Sequence, residues 1–153
     1  MLQSSNFQPV NSNILIAVDG SKYSEIAAGA GVELAKALNA AVTFLCVVDI
    51  SNITLSAQTG GAIDKNVLDI YHRDAEETID AIVKKYPYSK IKKLTPDGLP
   101  AETILTMAQS IKADMIVMGT HGRTGISHLL MGSITTNVVR HSHIPVLVIP
   151  GKE

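Results

Sequence analysis

A glycine-rich segment near the end of the chain has the residue types and spacing best suited to binding chemistry. Gly119 is separated from Gly122 by two residues, and nine more residues separate Gly122 from Gly132 and Ser133. Glycine has no Cβ, so backbone amides can approach a ligand closely, and the N-terminus of a helix attracts phosphate. The spacing predicts a polyphosphate site. Tight turns, and a serine that only caps its own helix, explain the same residues equally well.

Side chains around these glycines offer further chemistry. Arg123 has the forked guanidinium that suits phosphate oxygens, and its alternative is a solvated loop arginine. His121 is a candidate acid or base, and its alternative is a histidine without a role. Neither Gly-x4-Gly-Lys-Ser/Thr nor Gly-x-Gly-x-x-Gly occurs in the sequence, which excludes the P-loop and the dinucleotide fingerprint. No Cys/His set has zinc-site spacing, so we predict no metal held by the protein's own side chains.

The elements that must position this segment alternate between two hydrophobic patterns. Short continuous apolar runs predict buried strands, and segments of helical period lie between them. This order predicts an α/β domain of three layers with a five-stranded parallel sheet. The predicted strands are 14–18, 41–48, 90–95, 115–118 and 146–149, the third of them a charged edge strand; the predicted helices are 21–39, 65–85, 100–111 and 133–141.

Two helices carry explicit predictions about their apolar faces. Ser21 or a close neighbour is expected to cap the first helix, and Asn39 to end it. Its predicted apolar face is Ile26, Ala27, Ala30, Leu34 and Leu38. The second helix has a predicted apolar stripe of Val67, Leu68, Tyr71, Ala75, Ile79 and Ile82. Residues 50–63, between the second strand and this helix, are predicted to be a loop.

Composition excludes several classes of protein. The chain has 153 residues, is 46% hydrophobic, has a formal net charge of -1 and has one cysteine. These values disfavour a disordered chain, a dedicated nucleic-acid binder and a disulfide framework. Apolar runs are too short to span a bilayer, and residues 1–10 lack signal-peptide features. We predict one domain over residues 1–153, with 1–12 as an N-terminal extension, in a soluble cytoplasmic protein without nucleic-acid or membrane partners.

Together these motifs resemble those of the universal stress protein family. Gly119, Gly122, Gly132 and Ser133 match the Gly-x2-Gly-x9-Gly-Ser/Thr signature of its ATP-binding branch. The resemblance covers roughly residues 13–150. The other segments similar to family motifs are 18–21, 47–49, 98–101 and 143–148.

This resemblance implies a Rossmann-like fold with strand order 3-2-1-4-5 and an adenine nucleotide across the ends of strands one and four. Asp19 would meet the ribose hydroxyls, although an aspartate that only initiates a turn is an equal alternative. Val47 would line the adenine pocket and Met118 would pack on the base or sugar, although without the resemblance both are typical core residues of a strand. Ala17 stands where the branch often has proline. The remaining implied contacts are Gly119, Gly122, Arg123, Gly132, Ser133, Ile134 and Thr135.

The function implied is that of an ATP-binding stress protein acting as a sensor or switch. The ligand is ATP, ADP or AMP, accompanied by Mg²⁺ or Mn²⁺ held by phosphate and water. One alternative is a slow ATP hydrolase that uses His121, Arg123 or Asp49, and another is a dimeric interaction module that binds no nucleotide. The resemblance also implies a homodimer paired through residues 146–149, unless Pro145 and Pro150 protect that edge.

Overall fold

The computed structural model describes residues 12–51, 65–122 and 131–151. Five parallel strands form one sheet between two layers of helices, and a two-stranded sheet lies at its end. The elements are β1 (Asn13–Ala17), α1 (Lys22–Leu38), β2 (Ala41–Leu45), β3 (Val48–Asp49), α2 (Lys65–Lys85), β4 (Ile91–Leu94), β5 (Asp97–Gly98), α3 (Pro100–Ser110), β6 (Met115–Gly119), α4 (Ser133–His141) and β7 (Val146–Ile149).

The large sheet has the order β4-β2-β1-β6-β7. Counted along the chain, its five strands follow the predicted order 3-2-1-4-5, so the predicted fold class is confirmed. Ile14 pairs with Val42 on one side and with Met115 on the other, in parallel register. The winding direction reverses between β1 and β6, and ligands of such sheets bind beyond the carboxyl ends of the strands at that point.

Strand β1 is buried on both faces, as its continuous apolar run predicts. Ile14 and Ile16 pack with residues of α1 and α2 in one core. Leu15 and Ala17 belong to a second core with residues of α3 and α4 on the opposite face. This alternation places helices on both sides of the sheet, because successive side chains of a strand point to opposite faces.

Helix α1 has the predicted ends but a partly different buried face. The Ser21 hydroxyl accepts a hydrogen bond from the Ser24 amide at 3.1 Å, and Asn39 ends the helix with a φ of 53°. The predicted face is wrong at Ala30, which is exposed, and at Leu38, whose exposed fraction is 51%. The helix buries smaller residues instead, namely Ser24, Ala27, Ala28, Gly29, Gly31, Val32 and Ala35.

Close packing explains this choice of small residues. A Cβ at Gly31 would lie 2.6 Å from Cδ1 of Ile16, so the helix backbone rests directly on the sheet. Close packing thereby offsets the helix propensity that glycine lacks. Gly29 faces a different neighbour, because a Cβ there would lie 2.8 Å from the ring of Tyr86.

The second predicted strand, 41–48, is divided in the structure. Strand β2 ends at Leu45, and the chain bends before β3, which pairs with β5. The amide of Cys46 donates to the Leu94 carbonyl at 3.0 Å, and the amide of Val48 donates to the Pro96 carbonyl at 2.8 Å. Residues on both sides of the bend therefore stay hydrogen-bonded to the same neighbouring segment, residues 94–96. Cys46 is buried, as predicted.

Helix α2 has the predicted bounds, but its buried residues differ from the predicted apolar stripe. Val67 and Tyr71 are exposed, with exposed fractions of 39% and 45%, whereas the buried residues are Ala75, Ile79 and Ile82. Lys92 and Lys93 project from the edge strand β4, and both are exposed, as predicted. Most of the predicted loop 50–63 and nearly all of the predicted extension 1–12 lie outside the described residues. Within the described ranges, no helix combines the length and apolar character needed to span a membrane.

Candidate functional site

A cavity of about 370 Å³ opens at the carboxyl ends of β1, β2 and β6. Every predicted site residue that the structure describes lines it. Arg123, the remaining predicted residue, lies outside the described residues. The predicted residues at the cavity are Ala17, Asp19, Val47, Met118, Gly119, Gly122, Gly132, Ser133, Ile134 and Thr135.

Asp19 serves the turn after β1 and also faces the cavity. One carboxylate oxygen, Oδ1, accepts a hydrogen bond from the Ser21 amide at 3.0 Å, which is the turn alternative. The other oxygen, Oδ2, would lie 2.6 Å from a Cβ added at Gly122. Gly20 adopts a φ of 80°, a conformation that glycine tolerates best. A role in the turn and a role at the ribose are therefore compatible, because the turn uses Oδ1 and the cavity is faced by Oδ2.

The glycines of the segment meet different neighbours. A Cβ at Gly119 would lie 2.9 Å from the carbonyl carbon of Tyr23, so only glycine fits beside that backbone. At Gly132 the nearest atom would be the Thr120 oxygen at 3.4 Å, an ordinary contact. The Gly132 amide donates to that same oxygen at 2.7 Å. Gly122 alone among these glycines lies against a side chain that faces the cavity.

The N-terminus of α4 forms another wall of the cavity. Gly132 is its N-cap residue, without a side-chain cap, so the predicted capping position of Ser133 is wrong by one residue. The first backbone bond of the helix is donated by Thr136 to Gly132. Amides of the first helical turn have no partner inside a helix, and the helix dipole makes this end positive. Ser133 and Ile134, both exposed, therefore present their amides at an electropositive surface.

Thr135 has a structural role that the sequence did not indicate. Its side chain is buried, and its hydroxyl donates to the Gly119 carbonyl at 2.9 Å. This bond holds α4 against the end of β6. Thr135 lines the cavity, but its hydroxyl is engaged with the protein.

Val47 lies in the bend between β2 and β3 and is half-buried at the cavity wall. Its amide and its carbonyl have no hydrogen-bond partner among the described residues. Backbone groups at a cavity wall without protein partners are unusual, because buried polar groups are normally paired. The bend therefore offers one donor and one acceptor side by side.

The charged side chains that the structure describes around the cavity are all acidic. Asp19, Asp49 and Asp74 line it, and the described lining includes neither lysine nor arginine. The Asp49 carboxylate accepts hydrogen bonds from the Ser51 amide at 2.9 Å and from the Ser51 hydroxyl at 2.6 Å. No group of three potential metal ligands is found within the described residues. Among the described residues, positive potential at this site therefore comes from amides and a helix end.

His121 lies at the edge of the cavity between two neighbours. Its Nδ1 lies 3.0 Å from the Thr120 hydroxyl, and its ring centroid lies 5.2 Å from that of Tyr23, tilted by 48°. The other ring nitrogen, Nε2, is buried and has no hydrogen-bond partner in the part of the chain that the structure describes.

Sequence reasoning missed part of the lining. One signal was available for α2, because Tyr71, Asp74 and Ala75 share a helix face at i, i+3 and i+4. Their position beside the sheet end depends on the tertiary fold, which the pattern does not show. The missed residues include Ser24, Tyr71, Asp74, Ala75, Pro100 and Ile104.

A parallel sheet covered on both faces, with its cavity where the winding reverses, defines the Rossmann-like class of α/β domains. A model of the universal stress protein family matches residues 11–150, and the chain belongs to that family. The curated relative universal stress protein MJ0531 of Methanocaldococcus jannaschii is 34% identical over 151 residues, which cover 97% of this chain and 88% of the relative.

Solved structures agree with this assignment. The structure of MJ0577, a universal stress protein of the same organism, has a TM-score of 0.77 at 29% identity and covers 94% of this chain and 98% of its own. A universal stress protein solved in complex with cAMP has a TM-score of 0.61 at 24% identity, covering 92% of this chain and 97% of its own. At that identity the second likeness shows the fold alone.

Proposed function

We propose that this chain binds an adenine nucleotide, with ATP as the principal ligand, and acts as a sensor or switch in a cytoplasmic stress response. One observation carries the proposal. Ten site residues predicted from the sequence lie in the part of the chain that the structure describes, and all ten line one cavity. These residues come from β1, the β2–β3 bend, β6 and α4, which are far apart in the sequence. A universal stress protein of the same fold has been solved in complex with cAMP, which makes adenine nucleotides the ligand class to test first.

The adenosine part fits the side of the cavity near β1 and β2. The unpartnered amide and carbonyl of Val47 match the acceptor and donor that adenine presents side by side at N1 and N6. Asp19 supplies a carboxylate, and carboxylates accept hydrogen bonds from ribose hydroxyls. Met118 is buried at the adjacent cavity wall, where it supplies apolar surface to the base or sugar.

The phosphates fit the adjoining part of the cavity, which Gly122 and the N-terminus of α4 line. Amides there favour an anion, but the described lining residues with charge are carboxylates. We therefore propose that Mg²⁺ or Mn²⁺ accompanies the phosphates, held by phosphate oxygens and water rather than by a protein ligand set. ATP should accordingly bind more tightly with the divalent cation than without it.

Calorimetric titration with ATP, ADP, AMP and adenosine, each with and without Mg²⁺, tests the proposal. We expect ATP to bind and Asp19→Asn to weaken every one of these ligands, because all of them share the ribose. Glu33→Gln, on the solvent side of α1, is the matched control and should bind as the wild type does. Absence of binding to all four ligands at millimolar concentration would refute the proposal and favour the nucleotide-free interaction module.

Hydrolysis is expected to be slow at most. Phosphoryl transfer to water needs a group that orients the water and charge that neutralises the γ-phosphate. Of the sequence candidates, Asp49 is engaged with Ser51, and His121 lies against Thr120 and Tyr23. Single-turnover hydrolysis with Mg²⁺ tests this point, and a fast rate that collapses in His121→Ala would replace the switch with an ATP hydrolase.

We further propose a homodimer through β7. The strand is uncharged, and all four of its residues are half-buried at the open edge of the sheet. The Ile116 amide donates to the Pro145 carbonyl, and the Thr120 amide donates to the Ile149 carbonyl. Because the backbone groups of successive strand residues point to alternate sides, Val148 directs its backbone amide and carbonyl outward, away from β6.

Light scattering of Val148→Pro tests the dimer. Proline removes the outward amide while leaving the ladder to β6 intact, so we expect a folded monomer. Val148→Thr keeps the amide and should remain dimeric. A wild-type chain that is monomeric at micromolar concentration would refute the homodimer.

A further inference from the structure

Tyr23 lies in the first turn of α1 and does not line the cavity, yet it contacts the segment that does. Its backbone fills the space beside Gly119, where a Cβ would lie 2.9 Å from both its carbonyl carbon and its carbonyl oxygen. Its ring lies 5.2 Å from the His121 ring, centroid to centroid. Tyr23 therefore supports the Gly119–Gly122 turn at two separate points.

The same ring also meets the end of the chain beyond β7. A Cβ added at Gly151 would overlap the ring atoms Cδ1 and Cε1 of Tyr23. Gly151 is half-buried and does not line the cavity. The Tyr23 ring thus lies in direct contact with two segments, the turn after β6 and the residues after β7.

Backbone bonds tie these two segments together at Thr120. Its amide donates to the Ile149 carbonyl at 3.2 Å, and its carbonyl accepts from the Gly132 amide at 2.7 Å. Its hydroxyl lies 3.0 Å from Nδ1 of His121. The turn is therefore held between β7 on one side and the start of α4 on the other, and Tyr23 packs against the turn itself and against Gly151 after β7.

We propose that Tyr23 is a positioning residue for the adenine-nucleotide site. It holds His121 and the Gly119–Gly122 turn in the geometry that binds the ligand, and it makes that geometry depend on the residues that follow β7. This inference rests on the proposed function, because it concerns the same cavity. The hydroxyl of Tyr23 has no hydrogen-bond partner in the described residues, so the ring is the part that acts.

Replacing the ring is the direct test. Tyr23→Phe keeps the ring and should bind ATP within about twofold of the wild type. Tyr23→Leu removes the contacts with His121 and should weaken ATP binding about three- to tenfold, since aromatic pairs contribute at this level. The two-dimensional NMR signals of the His121 ring should shift in Tyr23→Leu and stay near their wild-type positions in Tyr23→Phe.

Gly151→Ala tests the link from outside the cavity. Its methyl group would displace the Tyr23 ring, so ATP affinity should fall by about the same three- to tenfold. In a Tyr23→Leu background no ring is left to be displaced, and Gly151→Ala should add almost nothing to the loss of ATP affinity. Such non-additivity is the signature of coupling through the ring, whereas independent damage to the fold predicts additive losses.

The outcomes separate this inference from the proposed function. A wild-type chain that binds no adenine nucleotide refutes the function itself. A wild-type chain that binds ATP, with Tyr23→Leu and Gly151→Ala both binding equally well, refutes only the positioning role. Additive losses in the double variant also refute it. If Tyr23→Leu fails to fold by circular dichroism, unchanged ATP affinity in Gly151→Ala alone overturns the inference, and a loss supports it.

Discussion

The addition of one methyl group should mainly lower the stability of the fold at one cavity glycine, Gly119, and mainly lower ATP affinity at another, Gly122. In Gly119→Ala the new Cβ would lie 2.9 Å from the carbonyl carbon and oxygen of Tyr23. Those are backbone atoms of α1, so the strain cannot be relieved by turning a side chain. Overpacking of this kind costs about 1–3 kcal/mol. At about 2–4 °C for each kcal/mol in a chain of this size, a 2 kcal/mol loss lowers the melting temperature by about 4–8 °C.

In Gly122→Ala the new Cβ would lie 2.6 Å from Oδ2 of Asp19. That atom ends a side chain, so rotation of the carboxylate relieves the overlap without a shift of the backbone, although it weakens the bond from the Ser21 amide. The rotation removes the carboxylate from the proposed ribose position. Hydrogen bonds to charged groups contribute about 1.5–3 kcal/mol, so ATP affinity should fall about ten- to a hundredfold.

Differential scanning calorimetry and ATP titration of the two variants decide between these mechanisms. Gly132→Ala is the control for steric overlap, because its Cβ would meet nothing closer than 3.4 Å and its φ of -57° suits alanine; it loses only the preference of the N-cap position for glycine over alanine. A Gly119→Ala chain that melts with the wild type would refute the steric argument. A Gly122→Ala chain with unchanged ATP affinity would refute the assignment of Asp19 to the ribose.

Three further predictions concern contacts within the protein that do not involve the ligand. Thr135→Val removes the donor to the buried Gly119 carbonyl, and urea denaturation should show a loss of about 1–3 kcal/mol. Asn39→Ala should cost about 1–2 kcal/mol in thermal melts because of the left-handed φ, whereas Asn39→Gly should stay close to the wild type. The Lys85 ammonium donates a hydrogen bond to the Glu25 carboxylate, and this bond raises the pKa of Lys85 above its ordinary 10.5. The small stabilising contribution of the pair is therefore present below pH 10.5 and is lost as the pH rises through the folded-state pKa. NMR titration should find a lower pKa for Lys85 in Glu25→Gln.

Local sequence signals predicted those features that depend on neighbouring residues along the chain. The run at residues 14–18 is apolar at every position, which is the pattern of a strand covered on both faces, and the structure buries both faces of β1. Ser21 and Asn39 were predictable as helix ends because each acts within one turn of its own helix. The same holds for the charged edge strand β4.

The missed features depend on residues distant in sequence. The buried face of α1 was misjudged because hydrophobicity favoured Leu38, whereas contact with Ile16 selects for small volume at Gly31. Cys46 and Val48, on either side of Val47, keep their hydrogen bonds at the bend only because residues 94–98 run alongside. The engaged hydroxyl of Thr135 likewise reflects the tertiary approach of Gly119. The predicted glycines converge on one cavity, while their individual neighbours were visible only in three dimensions.

The two edges of the large sheet differ in a way that limits how many copies can join. On β4, Lys92 and Lys93 are exposed, and lysines on an edge strand oppose pairing with another chain. The β7 edge has no such charge. When two copies pair through β7 about a two-fold axis, the β7 edge of each molecule is covered. The edges of the large sheet that stay exposed are then the two β4 edges, which carry the lysines. In the proposed dimer, growth by edge pairing of the large sheet would therefore terminate at a closed pair rather than continue into an open-ended fibre.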